Sequence, residues 1–330
     1  MIRWGIIGLG NMAQKFAHSI KETSNARLLA ISSLNNARLQ SFKNDFQIDK
    51  KFVFNNYNDL IECKEIDAVY IATLNNTHLK LIKLCAENKK NILCEKPITL
   101  NFKEAKEAES YIIKHNVIFY EAIAYYSHGQ TKNLISLIDE NKLGRILSIN
   151  STFGFKVKRI NPKSRIFNKS LGGGAILDIG CYPLSLLNLI FKNNENIKFK
   201  NVQGSFSSTN VDDSAEANLV VGNKIDSYIK VSFKENLDNK VIIKCENGSL
   251  NLSNPWLPEM KSYIDVDYIN SAYKKFFKST KSLYGNQIQN VSSNIENNKK
   301  SDDFLVNIEE SLKIMNNLTM WLDLVKKKNV

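Results

Sequence analysis

The chain is poor in the residues that staple or metallate a small fold. Its five cysteines (Cys63, Cys85, Cys94, Cys181, Cys245) are an odd number with no C-x-x-C pair, so neither a disulfide framework nor a thiol zinc site is implied and reduced thiols in a cytosol fit best. The four histidines, His18, His78, His115 and His128, lack metal-ligand spacing, so no metal site is expected. No apolar run approaches the roughly 20 residues that span a bilayer. The start Met1-Ile2-Arg3-Trp4-Gly5 has neither the basic segment nor the apolar core of a signal peptide. A cytoplasmic protein without membrane contact is the expectation.

Acidic residues are the scarcer charge. Lys plus Arg number 45 against 33 Asp plus Glu, a formal net charge of +12. The basic residues are nonetheless spread along an Asn-rich chain, with no block longer than Lys326 to Lys328. No helix-turn-helix, zinc-finger or RNA-recognition signature accompanies them, so no nucleic-acid partner is expected. At 43% hydrophobic and 24% charged residues the composition is that of a soluble globular protein. A length of 330 residues suggests two domains.

The first third alternates short apolar runs (Ile2 to Ile7, Arg27 to Ser33, Ala68 to Ala72, Asn91 to Glu95, Val117 to Glu121) with helical patterns (Asn11 to Glu22, Asn35 to Phe46, Thr77 to Asn88, Phe102 to His115). That alternation predicts βαβ units and a parallel sheet. Thr77 is placed to cap the third helix, and Asn101 with Glu104 resembles a capping box for the fourth. After about residue 122, period-two alternation at Arg145 to Lys158, Glu216 to Val221, Ser227 to Phe233, Val241 to Glu246 and Ser249 to Ser253 predicts an antiparallel or mixed sheet. Ser301 is placed to cap a last helix with Leu305, Ile308, Leu312, Met315, Leu322 and Val325 along one stripe. Lys274 to Lys300 gives no clear pattern.

The strand Ile2 to Ile7 runs into Gly8-Leu9-Gly10-Asn11-Met12-Ala13 and a helix. This G-x-G-x-x-A turn suits a dinucleotide: Gly8 for the tight turn, Gly10 for the approach of a pyrophosphate, Ala13 for helix packing. An Asp or Glu ending the second strand would bond the ribose hydroxyls of NAD. The chain has Ser32-Ser33-Leu34 there with Arg38 nearby, so NADP is preferred over NAD. Thr73-Leu74-Asn75-Asn76-Thr77-His78 and Glu95-Lys96-Pro97 follow further strands, where ligands bind in open α/β sheets. Later, Gly172-Gly173-Gly174 leads to Asp178 and Tyr182, four apart and on one face of a helix.

In order and spacing these landmarks resemble the Gfo/Idh/MocA family of oxidoreductases, and the resemblance takes in Glu121-Ala122, His128 and the final Glu310-Ser311-Leu312. Tyr182, where inositol dehydrogenase-like members carry His, is similar to the dihydrodiol dehydrogenase, D-xylose dehydrogenase and glucose-fructose oxidoreductase branch. Leu74 departs from the proline common there, and Tyr126 and Gly129 interrupt a Y-R-x-H-P pattern.

The resemblance implies an α/β fold: an N-terminal Rossmann-like doubly wound parallel sheet, then an α+β domain with a large open, mostly antiparallel sheet. The implied domains are 1–122 for the dinucleotide and 123–330 for substrate and oligomerisation, with helix 302–328 packing back. It implies hydride transfer between NADP or NAD and a hydroxyl-bearing carbon of a sugar, sugar derivative or cyclic polyol. Lys96, Asp178 and Tyr182 are the implied catalytic residues. Cofactor contacts are expected at Gly8, Gly10, Asn11, Met12, Ser32, Ser33, Arg38, Thr73, Leu74, Asn75, His78, Glu95, Lys96 and Pro97. Substrate contacts are expected at Glu121, Tyr125, His128 and Arg165. Either Tyr182, its phenol lowered by the Lys96 ammonium, or Lys96 itself carries the proton. None of the 12 tyrosines has a lysine four residues on, which excludes the short-chain dehydrogenase pattern. A catalytically silent nicotinamide-binding sensor is the alternative, and a homodimer or larger assembly through an apolar face of the C-terminal sheet is expected.

Overall fold

The computed structural model describes residues 1–191, 196–222, 224–269 and 271–329. In chain order the strands are β1 (Ile2–Ile7), β2 (Ala26–Ser32), β3 (Val53–Phe54), β4 (Ala68–Ile71), β5 (Asn91–Cys94), β6 (Phe119–Glu121), β7 (Ile146–Gly154), β8 (Ile197–Phe206), β9 (Asp212–Val221), β10 (Ile225–Ser232), β11 (Lys240–Cys245), β12 (Gly248–Ser253), β13 (Lys261–Tyr268) and β14 (Ser271–Lys278). The helices are α1 (Asn11–Ser19), α2 (Asn36–Phe46), α3 (Tyr57–Glu62), α4 (His78–Glu87), α5 (Phe102–His115), α6 (Gly129–Asp139), α7 (Ala175–Ile179), α8 (Cys181–Ile190), α9 (Leu283–Glu296) and α10 (Ile308–Lys328). They form two compact units, residues 1–127 with 280–312, and residues 128–279 with 313–330. The sequence reading placed one boundary at 122; the compact units instead return 280–312 to the first.

In the first unit six parallel strands lie in the order β3-β2-β1-β4-β5-β6. β4 is buried at every position, which is why its apolar run does not alternate: a parallel sheet is covered on both faces. α9 supplies part of that cover, and the buried indole of Trp4 donates to the Ser292 hydroxyl at 3.0 Å. Asn294 likewise donates to the Tyr120 hydroxyl at 2.9 Å. The unreadable stretch after Lys274 thus holds β14 and α9, whose Gln, Asn and Ser residues hide the helix because several of them face inward.

Two expected helix starts need correction. Thr77 stands at the start of α4 without a capping bond to it, because its hydroxyl donates to the Leu74 carbonyl at 2.7 Å. The last helix begins at Ile308, capped by Asn307, which accepts from the Glu310 amide at 3.0 Å while Glu310 accepts from the Asn307 amide at 3.1 Å. Ser301 lies before a short extended stretch in which Val306 pairs with Glu121. The capping box at α5 forms as read, with the Glu104 amide donating to the Asn101 side chain at 3.0 Å.

In the second unit eight strands lie in the order β14-β13-β12-β11-β7-β10-β9-β8, antiparallel except for β7 with β10. The fold class read from the sequence, a parallel Rossmann-like sheet followed by a large mostly antiparallel one, is the fold observed. Ile149, Ile229, Val241, Ile243, Leu250 and Ile264 fill the inner face. On the other face the register lines up Asp265, Asn251, Ile242, Asn150, Tyr228 and Asn218 across six strands. The expectation of an apolar outer face is therefore corrected: alternation put the apolar set inside and amides and charges outside.

Candidate active site

The site begins with the order of strands. The neighbours β1, β4 and β5 end on one edge, so Gly8, Thr73 and Lys96 leave the sheet side by side, at the point where strand order reverses and α/β sheets bind ligands. Gly8 has φ +87°, and a Cβ there would stand 2.7 Å from the Ala72 carbonyl oxygen, so only glycine serves. Over Gly10 a Cβ would meet nothing within 4 Å, and α1 begins there without a side-chain cap. Its first amides and positive dipole end face an open cradle, which fits a pyrophosphate.

The expected cofactor residues divide by burial. Asn11, Arg38 and Leu74 are exposed, and Gly10, Met12, Thr73 and Lys96 half-buried. Ser32 is fully buried and donates to the Asn56 carbonyl at 2.7 Å, so its hydroxyl is part of the scaffold. Ser33 accepts from the Asn35 amide at 3.1 Å, and Asn35 caps α2 through the Arg38 amide at 3.0 Å. His78 is 0% exposed, with Nδ1 at 3.0 Å from the Pro97 carbonyl and Nε2 at 3.4 Å from that of Thr73. It staples the two turns together instead of meeting a ligand, and burial pushes its pKa down against those carbonyls. Asn75, Glu95 and Pro97 are also buried; Glu95 accepts from the Tyr70 hydroxyl. The Lys96–Pro97 peptide is cis.

Behind Lys96 sits Glu121. Its Oε1 accepts from the Ile98 amide at 3.0 Å, and Oε2 is buried without a hydrogen-bond partner among the described residues. Burial raises its pKa to about 7, against the opposing pull of the Ser311 hydroxyl, the Ile98 amide and the Lys96 charge. At 1% exposure it is placed to support the lysine turn, not to touch substrate. Tyr125 is equally buried, edge-on to Tyr126.

In the second unit His128 is 1% exposed and caps α6, accepting from the Gln130 amide at 3.1 Å. The cap engages Nδ1, whereas Nε2 is buried without a hydrogen-bond partner among the described residues. Arg165 pairs with Asp178, Nη1 to Oδ1, at 2.7 Å. Asp178 ends up near the close of α7 and Tyr182 in the first turn of α8; the helical path bends by 45° between Lys169–Ile179 and Cys181–Ile190. Tyr182 is half-buried on an aromatic floor, 5.1 Å from Phe153 and 6.0 Å from Trp256 between ring centroids. Trp256 is fixed by an indole N–H to the Thr152 carbonyl at 2.8 Å.

Sequence reasoning missed Asp212. This buried carboxylate at the start of β9 accepts from the Ile176 amide at 2.6 Å, capping from a distant strand the short helix that carries Asp178. A Cβ on Gly174 would lie 2.1 Å from Asp212 Oδ1, and Gly174 has φ +123°. Gly174 is thus a collar on that carboxylate, whereas a Cβ on Gly173 would meet the Arg165 and Ile166 carbonyl oxygens at 2.8 Å instead. The signal was the triplet itself, whose partner lies 38 residues on and makes no local pattern. Burial raises the Asp212 pKa to about 6, above the pull of the Ile176 amide and of Lys326.

Residues 2–123 match the oxidoreductase family with an NAD-binding Rossmann fold, Gfo/Idh/MocA, and residues 131–251 match the Gfo/Idh/MocA C-terminal domain. The chain belongs to the Gfo/Idh/MocA family. As such it is an NAD(P)-dependent oxidoreductase. It is 27% identical to trans-1,2-dihydrobenzene-1,2-diol dehydrogenase of Xenopus tropicalis over 78% of this chain and 77% of that one. The fold is shared with the 3-ketoreductase KijD10 of Actinomadura kijaniata, solved with NADP and TDP-benzene (TM-score 0.86, 20% identity, 99% and 97% of the two chains). It is shared as well with aldose-aldose oxidoreductase of Caulobacter crescentus, solved with glycerol (TM-score 0.89, 18% identity, 99% and 98%). In this Gfo/Idh/MocA chain the open cradle over Gly10 fits the pyrophosphate of NADP or NAD, and such a cofactor, when bound, supplies hydride transfer at its nicotinamide ring.

Proposed function

We propose that this oxidoreductase transfers a hydride between NADP and a hydroxyl-bearing carbon of a sugar, sugar derivative or cyclic polyol. The observation that carries the reading is the presentation of Tyr182: a phenol on a fixed aromatic floor, four residues beyond an Asp178 already oriented by Arg165. A flat apolar floor suits the CH face of a ring, and a nearby phenol and carboxylate suit its hydroxyls. On this reading Tyr182 and Lys96 handle the substrate proton and Asp178 orients the hydroxyl. The substrates named for the relatives, a dihydrodiol and aldoses, carry such hydroxyls.

The preference for NADP rests on the absent carboxylate at the end of β2 and on Arg38, exposed in the first turn of α2. Ser32 drops out of that argument; Ser33 stays in it. The five free thiols suit a reducing compartment, and a cytoplasmic location, no nucleic-acid partner and a homodimer or larger assembly complete the proposal. Among the described residues no single helix is long and apolar enough to cross a membrane. Assay of NADPH or NADP turnover over sugars, polyols and dihydrodiols tests the reading. Cofactor binding with no turnover of any member would replace it with a nicotinamide-binding sensor.

A further inference from the structure

Between residues 141 and 177 the chain has eight Lys or Arg residues and no Asp or Glu. All eight are exposed; Lys142, Arg145 and Arg165 pair with Glu140, Glu246 and Asp178, which leaves five, Lys156, Lys158, Arg159, Lys163 and Lys169. None of the five forms an ion pair among the described residues, although Arg145, Lys230 and Lys240 in the same unit are paired with Glu246, Glu235 and Asp238. The loop meets the turn after β10 where the Lys156 amide donates to the Asn236 side chain at 2.9 Å, and the two acids of that turn, Glu235 and Asp238, are already matched. An uncompensated cluster of like charge raises the free energy of the empty loop and is relieved by an anion.

The loop is also fixed at both ends to the structure that holds the candidate catalytic residues. At its start the Phe155 and Val157 amides donate to the Ser232 and Phe233 carbonyls at 3.0 and 2.8 Å, and the Phe155 ring meets Phe233 and Phe153 at 5.2 and 6.5 Å. At its end Phe167 returns to Phe233 at 6.0 Å, and the Gly174 amide donates to the Ile166 carbonyl at 3.0 Å. The ring of Phe153 is in turn the floor under Tyr182. A compact loop closed on its own packing in this way is the kind that carries function.

We infer that residues 156–164 form an anion clamp and that the substrate is a phosphate-bearing sugar or polyol derivative, with its reacting ring on the Tyr182 floor and its phosphate on Lys158, Arg159 and Lys163. This rests on the hydride-transfer reading above. The anion is a phosphate monoester or the diphosphate of a nucleotide-linked sugar, which share this chemistry. Lysine and arginine bind such groups by charge-assisted hydrogen bonds, so affinity falls with salt.

The test compares the wild type with the triple variant Lys158→Ala, Arg159→Ala, Lys163→Ala, using inorganic pyrophosphate as the binding probe on enzyme saturated with NADPH, so that the Gly10 cradle is filled. A neutral sugar, its 1-phosphate and its nucleoside diphosphate ester serve as substrates. The triple variant should melt and bind NADPH as the wild type does, yet bind pyrophosphate at least tenfold more weakly. Its KM for the better ester should rise at least tenfold with kcat unchanged, while KM for the neutral sugar stays put; whichever ester responds identifies the anion. Loop-dependent pyrophosphate binding without turnover of any substrate would support the clamp while removing the hydride-transfer reading. Pyrophosphate binding unchanged in the variant, equal kcat/KM for neutral sugar and esters, or loop-dependent binding of duplex DNA tighter than that of pyrophosphate would overturn the inference.

Discussion

Lys96 is the residue at which chemistry and scaffold are easiest to separate, because it lies two residues beyond β5, the strand next to β4, whereas the phosphate cradle depends on Gly8 and Gly10. Lys96→Met should leave NADPH binding intact by fluorescence titration while turnover falls about 10² to 10⁴-fold, the range for lost acid–base catalysis. Tyr182→Phe should lose as much, and the double variant little more, since groups acting as one unit are non-additive; near-normal turnover in Lys96→Met rules this scheme out. At the second strand, Ser33→Asp is the informative change, because Ser32 is buried on the Asn56 carbonyl. The new carboxylate should raise Kd for NADP at least tenfold and leave NAD binding equal or tighter; a wild type that already prefers NAD ends the NADP assignment. Lys96 and Tyr182 are half-buried at the ends of their motifs, the exposure expected of side chains that reach a ligand. The burial of His78 and His128 was not legible, since a polar side chain folded back onto backbone reads in sequence like one aimed at a ligand.

At the scale of elements, the helix carrying Asp178 is held by a carboxylate from another strand. Gly174→Ala places a methyl against Asp212 Oδ1 at φ +123° and should cost at least about 1–3 kcal/mol in urea unfolding at constant m value; an unaltered midpoint would dispose of the collar. The pH dependence has a definite sign. The Asp212 pKa is raised to about 6 in the fold, so the folded state holds this proton more tightly than the unfolded one. Its contribution is full below the unfolded value near 3.9 and is lost as pH rises through about 6. Asp212→Asn removes that loss, so the stability of the variant relative to wild type should improve between pH 4 and pH 7. A flat difference would show the fold to leave this pKa unperturbed, and a falling one would show the carboxylate to be stabilised by the fold; either overturns the expected sign. Elements with strong local signals, the G-x-G-x-x-A turn and the Asn101–Glu104 cap, were readable. β13, β14 and α9 were not: β14 is largely exposed and charged, and α9 buries Gln, Ser and Asn that are satisfied only by the first sheet.

For the whole molecule, the two sheets followed from texture, continuous apolar runs first and alternation afterwards, but the return of 280–312 to the first unit depends on contacts such as Trp4 with Ser292, 288 residues apart. The same limit applies to assembly, for alternation tells which residues avoid the core without telling what meets the other side. That outer face runs Asp265, Asn251, Ile242, Asn150, Tyr228, Asn218, so a homodimer built on it is hydrogen-bonded at its centre and not a buried apolar slab. A two-fold axis sets the middle of the sheet against itself, and β11 and β7 are its middle strands. Ile242→Lys then brings two like charges together at the axis while leaving the fold untouched, because Ile242 points away from the core that Val241 and Ile243 fill. Sedimentation velocity at micromolar concentration should find the wild type a dimer and Ile242→Lys a monomer with an unchanged melting profile of the monomeric fold. Wild type sedimenting as a monomer defeats the dimer, and a variant that stays dimeric moves the interface off this face.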